Sequence, residues 1–437
     1  MSTLVVVGAQ WGDEGKGKVV DVVAGQADVV ARFAGGNNAG HTLVVDGEQI
    51  ITHLVPSGCR YPGTRCVLGA GMVIDPEVFE AEIAELRAHG LLMNDELRVS
   101  TNAHVIWPFH RTIDGLREDR AKAHAGQIGT TRRGVGPAYE AKVGRRGIRI
   151  RDLFTPERLR VLLERCKDTF DPELERHGSS ERIDVDAMLE RAEGWARWLE
   201  PMACDTGALC RDAIARGQSV LFEGAQGAML DIDHGTYPFV TSSSAIAGGV
   251  CTGLGIGPTL IDDVWGITKA YTTRVGAGPF PTRLDGTMGE RLREVGREFG
   301  ATTGRPRDCG WLDLPALAYA AAVNGMTGLC VTKLDVLAEL GHAEVCIGYE
   351  DGHDPGRDDL EGARPKLRML EGWDAPDLGP RLREARTMEE IPSCVRAYLD
   401  LIEEFVQVPV VLASAGPGRE QTIMARQPFE SRSRHAP

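Results

Sequence analysis

Residues 8–18 read GAQWGDEGKGK and hold the densest chemistry in the chain. Glycines at 8, 12, 15 and 17 are expected to forbid regular structure there, leaving backbone N–H groups free to point at an anion. Lys16 and Lys18 add positive charge, which suits a phosphate. Asp13 and Glu14 are the odd members, because a carboxylate in a phosphate loop repels its ligand unless a metal neutralises it or it serves as a base. The stretch 12–18 nearly fits the Walker pattern G-x-x-x-x-G-K-[ST], but Val19 stands where the Mg²⁺-binding hydroxyl belongs. Asp13 could hold the metal instead, since Mg²⁺ favours one or two carboxylates with phosphate oxygens and waters. The plain alternative is a tight turn after a strand, with no ligand.

Further stretches extend this chemistry. GGNNAGHT at 35–42 supplies backbone N–H groups, two amides and the imidazole of His41. A His on such a loop suits general acid work or donation to a developing oxyanion, or else it hydrogen-bonds a loop carbonyl. Residues 126–147 are dense in Gly and Arg, so they are expected not to pack a core and read as a surface or ligand loop. Thr130, Thr131, Arg132, Arg133, Arg145 and Arg146 suit a phosphate monoester. ATTGRPR at 301–307 again places two threonines beside two arginines, whose forks can clamp carboxylates or phosphates. TKLD at 332–335 has the [N/T]-K-x-D form by which GTPases read guanine. The carboxylate accepts from the ring N–H and exocyclic amine, a donor pair that adenine lacks. An ordinary strand-end Lys/Asp pair is the alternative. The turn at 414–418 could complete a base pocket.

Positioning these loops requires strands. Apolar, largely β-branched runs at 4–7, 29–33, 66–68, 219–222, 261–268, 328–332 and 408–413 read as buried strands. Helical spacing covers 19–24, 76–89, 111–124, 289–299, 312–323 and 393–405. Short β candidates lie at 97–99 and 105–107, and Asp46-Gly47 signals a hairpin between 43–45 and 49–54. The pattern predicts an α/β fold: a single large domain over 1–437 with a central, mostly parallel β-sheet flanked by helices and several long ligand loops. A helix-rich excursion over 155–216, interrupted at Gly194 and Gly207, and an exposed excursion over 352–380 complete it.

Composition narrows the function. A net charge of −14 argues against nucleic-acid or anionic-membrane binding, so phosphorylated ligands depend on local Lys/Arg clusters. The ten cysteines form no C-x-x-C pair and read as reduced and buried. Without a secretory pattern or bilayer-length apolar run, the expected location is cytoplasmic.

QWGDEGKGK and GGNNAGHT closely resemble signatures of the adenylosuccinate synthetase family. The resemblance continues through GTTRRGVGPAYEAKVGRRG, FEGAQG, LDIDHGTYPFVTSS, KAYTTRVGAGPFPT, GATTGRPRDCGWLD, TKLDVL and ASAGPGR, in the family's order. It implies GTP-dependent joining of IMP and L-aspartate to adenylosuccinate through a 6-phosphoryl intermediate. Asp13, His41 and Lys16 are its implied catalytic residues, with Mg²⁺ on Asp13 and the Gly40 carbonyl. For GTP it implies Gly12, Glu14, Gly15, Gly17, Lys18, Gly40 and Thr42, with Arg307, Lys333, Leu334, Asp335, Ser414, Ala415 and Gly416. For IMP it implies Asp13, Lys16, Asn38, Ala39, Gly40, His41, Thr131, Gln226, Thr241 and Arg305, with Arg145 reaching the partner of a homodimer. For aspartate it implies Ala301, Thr302, Thr303, Gly304, Arg305 and Arg307. Three positions depart from the family pattern. Arg132 replaces a common glycine, at a cost if φ is positive there; Pro306 replaces an arginine, and Ala415 a threonine. A regulatory GTP switch and a small-molecule kinase are the rival readings. The first has no need of Asp13, and the second would carry Ser or Thr at position 19.

Overall fold

A computed structural model of the chain describes residues 2–45, 48–92, 95–123, 129–300 and 304–430. Its centre is a ten-stranded sheet. The strands are β1 (Thr3–Gly8), β2 (Val29–Arg32), β3 (Arg65–Leu68), β4 (Leu97–Ser100) and β5 (Ala203–Cys204), then β6 (Val220–Glu223), β7 (Asp263–Lys269), β8 (Gly328–Thr332), β9 (Val410–Ser414) and β10 (Thr422–Met424). Their spatial order is β10-β9-β8-β7-β1-β6-β2-β3-β4-β5. Only the edge pair β9–β10 is antiparallel. The expected mostly parallel sheet is therefore present. All residues of β1, β2, β6, β7, β8 and β9 are buried, as strands covered on both faces must be. Because the strands run in parallel, the loops after β1, β2, β6, β7, β8 and β9 all leave from one edge, where open α/β sheets bind ligands.

A second sheet escaped the sequence reading. Tyr271–Arg274, Asp308–Asp313, Glu344–Tyr349 and Pro365–Met369 pair in that order. The helix expected from 312 starts at Leu314, because the Asp313 side chain caps it by accepting from the Ala316 N–H at 3.1 Å. The 352–380 excursion is only partly exposed: its strand Pro365–Met369 is mostly exposed, but Leu360, Ala363 and Leu378 are buried, and Trp373 is 2% exposed against Tyr398.

Other boundaries shift for local reasons. Gly194 and Gly207 interrupt nothing; they lie inside helices Val185–Leu199 and Thr206–Ala215, where packing outweighs the glycine penalty. Residues 126–147 are not wholly core-free. Helix Val135–Val143 buries Val135, Ala138, Tyr139 and Ala141, and the Tyr139 hydroxyl donates to the Gly71 carbonyl at 2.8 Å. Strands His41–Val45 and Glu48–Thr52 pair antiparallel as expected, while turn residues Asp46 and Gly47 lie outside the described residues. Among the described residues, no helix is long and apolar enough to cross a membrane.

The sheet's flank carries two buried histidines, His104 and His110. Burial pushes both down to about 3, with cationic neighbours of His104 adding to the shift. The unfolded chain takes up their protons below about pH 6.5 while the folded chain does not, so this stability is full above that pH and falls as pH falls. Between pH 7 and 5 each is expected to cost about 2 kcal/mol. Denaturant unfolding at both pH values checks this: His110→Gln should show a smaller acid-dependent loss than wild type, and an equal loss would refute the assignment.

Candidate active site

The phosphate loop begins where β1 ends. Gly12 and Gly15 have φ of 86° and 83°, a left-handed backbone that glycine adopts freely, and Asp13 joins them at 58°. Helix α1 (Lys16–Ala24) starts earlier than expected, so Gly17 and Lys18 lie in its first turn rather than in irregular loop. Glu14 folds into the loop and is fully buried. Its Oε1 accepts from the N–H groups of Gln10 at 3.0 Å and Gly12 at 2.9 Å, and its Oε2 meets Lys16 Nζ at 2.5 Å. A Cβ on Gly227 would lie 2.4 Å from that carboxylate and 2.3 Å from the Gln10 carbonyl, which is why the loop after β6 needs glycine there. The donors expected to greet a phosphate are thus matched internally by the chain's own anion.

Lys18 turns away from this cradle. Its Nζ donates to Ser414 Oγ at 2.7 Å and to the Gly416 carbonyl at 2.5 Å, tying α1 to the segment after β9. Burial pushes Lys18 down to about 8 against the pull of Asp335. Burial raises Asp335, opposed by Lys333 and Lys18. Lys333 sits at φ 64° before helix Leu334–Leu340, with Nζ donating to the Gly296 carbonyl at 2.8 Å. Leu334 and Ala415 are buried. The TKLD and 414–416 stretches therefore meet, with Lys18 between them.

His41 is buried, and its Nδ1 hydrogen-bonds the carboxylate of Glu223, the last residue of β6. Glu223 also accepts from the Ser57 N–H at 2.9 Å and hydroxyl at 2.8 Å. Burial holds His41 below its ordinary value despite Glu223. Burial would raise Glu223, but His41 and Arg32 outweigh it and keep it ionised. A neutral His41 then donates from Nδ1, leaving Nε2 buried without a protein partner among the described residues. Glu223 lies in the FEGAQG stretch, yet sequence reading gave it no role; an acid at the end of a central strand was the available signal.

Beside it, both amide atoms of Gln226 and the Nε and Nη2 of Arg32 are buried without protein partners among the described residues. They converge at Gly35, whose Cβ would lie 3.4 Å from Gln226 Oε1 and 3.8 Å from Arg32 Nη2. Polar groups at such depth call for a ligand or ordered water to satisfy them. Arg32 was also missed from sequence, where it reads as part of a strand. Asn38 turns its Oδ1 to the Gly36 N–H at 3.3 Å, Ala39 is buried, and Gly40 is exposed. Thr241 pairs with Ser243 at 3.4 Å. Thr42 follows His41 in its strand.

Thr131 is exposed at a loop anchored on helix Pro108–Ala123: Glu118 accepts from the Gly129 N–H at 2.8 Å, and Asp114 from the Thr130 hydroxyl at 3.1 Å. Arg145 is exposed with φ of 59°. Of the 301–307 stretch, Ala301, Thr302 and Thr303 lie outside the described residues; Gly304 has φ of 63° and Arg305 is exposed. Arg307 Nε donates to Asp13 Oδ2 at 2.7 Å, and Nη1 to Glu298 Oε2 at 2.7 Å. Glu298, fully buried and also unassigned from sequence, is held down at about 2 because Lys269, Lys333 and Arg307 outweigh its burial. Among the described residues, no group of three or more His, Cys, Asp or Glu could hold a metal ion. Asp13, half-exposed, with the adjacent loop carbonyls, fits only an ion that completes its shell with ligand phosphates and water.

A parallel sheet with a glycine loop, a helix start and a guanine-type Lys/Asp pair along one edge defines a nucleotide-dependent α/β enzyme. A family model described as adenylosuccinate synthetase matches residues 5–423. The adenylosuccinate synthetase of Sorangium cellulosum is 50% identical over 433 residues, spanning 98% of this chain and 100% of that protein. That of Myxococcus xanthus is 48% identical over 451 residues, spanning 99% and 100%. The structure of fully ligated adenylosuccinate synthetase from Plasmodium falciparum matches with a TM-score of 0.88 at 36% identity, over 98% of this chain and 100% of that one. Cyanophage S-2L succinoaminodeoxyadenylate synthetase, at 21% identity and a TM-score of 0.61 over 97% and 95%, shares the fold. The chain belongs to the adenylosuccinate synthetase family. It is a ligase of purine biosynthesis that joins IMP and aspartate with GTP, and nothing favours a regulatory switch.

Two substitutions test the loop geometry. Arg132 has φ of 55°, and among the described residues its exposed side chain pairs only with exposed Asp119, so Arg132→Gly should stabilise by about 1 kcal/mol in thermal melts. Gly227→Ala should displace Glu14 and lower kcat/KM by about 100-fold or more, since even a misplacement of about 1 Å can cost that much; near-wild-type activity would contradict the packing.

Proposed function

We propose that Asp13 takes the N1 proton of IMP, so that O6 attacks the γ-phosphorus of GTP. The new O6–P bond forms as the bond to the β–γ bridge oxygen breaks, and GDP departs. Aspartate's amine then attacks C6, phosphate leaves with O6, and the amine sheds its proton. Lys16 balances the phosphoryl oxygens once phosphate competes with Glu14 for it. His41, neutral in the free site, gains a proton as the triphosphate's charge enters and donates from Nε2 toward the bridge oxygen. The partnerless Nε2 of His41 is the observation that carries this reading. Mg²⁺ on Asp13 and the Gly40 carbonyl would supply charge neutralisation between the phosphates.

The same reading gives guanine to Lys333, Asp335 and the 414–416 turn, and IMP to Asn38, Thr131, Gln226, Thr241 and Arg305. The unmet amide of Gln226 supports it. Gly304, Arg305 and Arg307 take aspartate together with Ala301, Thr302 and Thr303. Exposed Arg145, beside exposed Val143, supports a homodimer in which Arg145 reaches the partner's IMP. We read residues 1–437 as one domain acting in the cytoplasm.

Phosphate release from GTP and Mg²⁺ should require IMP and aspartate together, with ATP unable to replace GTP. Asp335→Asn should lower kcat/KM for GTP by about 100-fold and narrow the preference over ATP, since a hydrogen bond to a charged group contributes about 1.5–3 kcal/mol. Release without aspartate, or an unaltered GTP preference in the variant, would overturn the respective assignment.

A further inference from the structure

One buried carboxylate joins segments that the proposed mechanism treats separately. Glu298 follows helix Gly286–Gly296 and precedes the 301–307 stretch. Its Oε1 accepts from Lys269 Nζ at 2.9 Å and from the Tyr271 hydroxyl at 2.5 Å. Lys269 ends β7 and is itself buried, with Nζ also on Thr273 Oγ1 at 2.7 Å, so this half of the network is rooted in the central and second sheets. Those partners alone would satisfy the charge. Oε2, however, takes Arg307 Nη1 at 2.7 Å, while Arg307 Nε donates to Asp13 Oδ2 at 2.7 Å. The planar guanidinium is therefore gripped between two carboxylates, and the buried one sets the direction of the other bond. On the opposite side Lys333 Nζ lies 4.0 Å from Oε1. A Cβ on Gly296 would lie 2.5 Å from the Tyr271 hydroxyl and 3.1 Å from Glu298 Cγ, so the backbone is shaped around this carboxylate.

We propose that Glu298 is a positioning residue that aims Arg307 at Asp13 and holds Lys333 beside the guanine loop, coupling the aspartate and GTP ends of the site. The inference rests on the roles proposed above for Asp13, Arg307 and Lys333. Wild-type enzyme tests that reading separately, through its joint requirement for GTP, IMP and aspartate.

The experiment is steady-state kinetics of the full-length enzyme with Glu298→Gln, which keeps the shape and removes the charge. KM for aspartate and for GTP should each rise about tenfold, while KM for IMP stays within about twofold. In an Arg307→Ala background, Glu298→Gln should leave KM for aspartate unchanged, because its lever is gone. A merely structural role would lower thermal stability and scale all three constants alike, with additive effects. Should Glu298→Gln fail to fold, Glu298→Asp keeps the charge but shortens the reach, and should show the same selective pattern at smaller amplitude. A wild type that needs all three substrates, with variants whose KM for aspartate and GTP are unchanged or whose effects add, overturns the coupling and leaves the site assignment standing.

Discussion

The working edge of this protein depends on neutralising charge where water is excluded. A buried carboxylate is costly unless a cation or several donors meet it. Glu14, Glu223 and Glu298 are three such carboxylates, and each has its own solution. Glu14 takes Lys16 and two backbone N–H groups, Glu223 takes His41 and Ser57 beside Arg32, and Glu298 takes Lys269, Tyr271 and Arg307. The three reach burial by different routes: Glu14 from the loop after β1, Glu223 as the last residue of β6, and Glu298 from the segment between helix Gly286–Gly296 and a strand of the second sheet. The loops are shaped by the same demand, as the glycines at 8, 227 and 296 show by leaving room for these carboxylates or their partners.

This arrangement explains how an acidic chain can receive a triphosphate and a nucleoside monophosphate. The free site is not a pool of bare positive charge. Lys16 and Arg307 are already engaged by the carboxylates of Glu14, Asp13 and Glu298, and on the proposed mechanism a phosphate would exchange partners with Lys16. Exchange suits a buried site, because an uncompensated lysine or arginine would be costly to keep there, whereas a matched one can be redirected when a stronger anion arrives. The unsatisfied groups are instead uncharged or delocalised: the Gln226 amide, His41 Nε2 and part of the Arg32 guanidinium. Those are suited to recognising shape and hydrogen-bonding pattern.

Much of this was legible in the sequence. The buried strands read directly, because apolar β-branched runs bounded by glycine have few other uses, and their parallel pairing followed from the helices between them. The loops themselves could be placed as well, since their glycines and the strand ends before them mark where regular structure stops. The second sheet was not legible: Glu344–Tyr349 mixes exposed and buried positions without a clean alternation, Pro365–Met369 has no buried position, and Asp308–Asp313 runs into its own helix, so no clean period of two emerges. Helix Val135–Val143 was hidden by its glycine- and arginine-rich flanks. Arg32, Glu223 and Glu298 were missed for a shared reason. Each acts through partners far away in the chain, such as His41 for Glu223, so nothing in its local sequence marks it.

Arg132 shows the opposite case, in which a sequence-level conflict was real. A left-handed backbone at that position was suspected because glycine is common there in the family, and the structure holds Arg132 at φ of 55°. Among the described residues its side chain reaches only exposed Asp119, which returns little. Asp13, Gln226 and Lys333 share the same backbone region at φ of 58°, 56° and 64°, but each belongs to a loop that the site requires. Asp13 meets Arg307, Lys333 meets the Gly296 carbonyl, and the Gln226 amide is buried. At those three positions the strain falls on groups that the proposed mechanism uses. At Arg132 no comparable return is visible, so the same local conformation carries different meaning according to what the side chain meets.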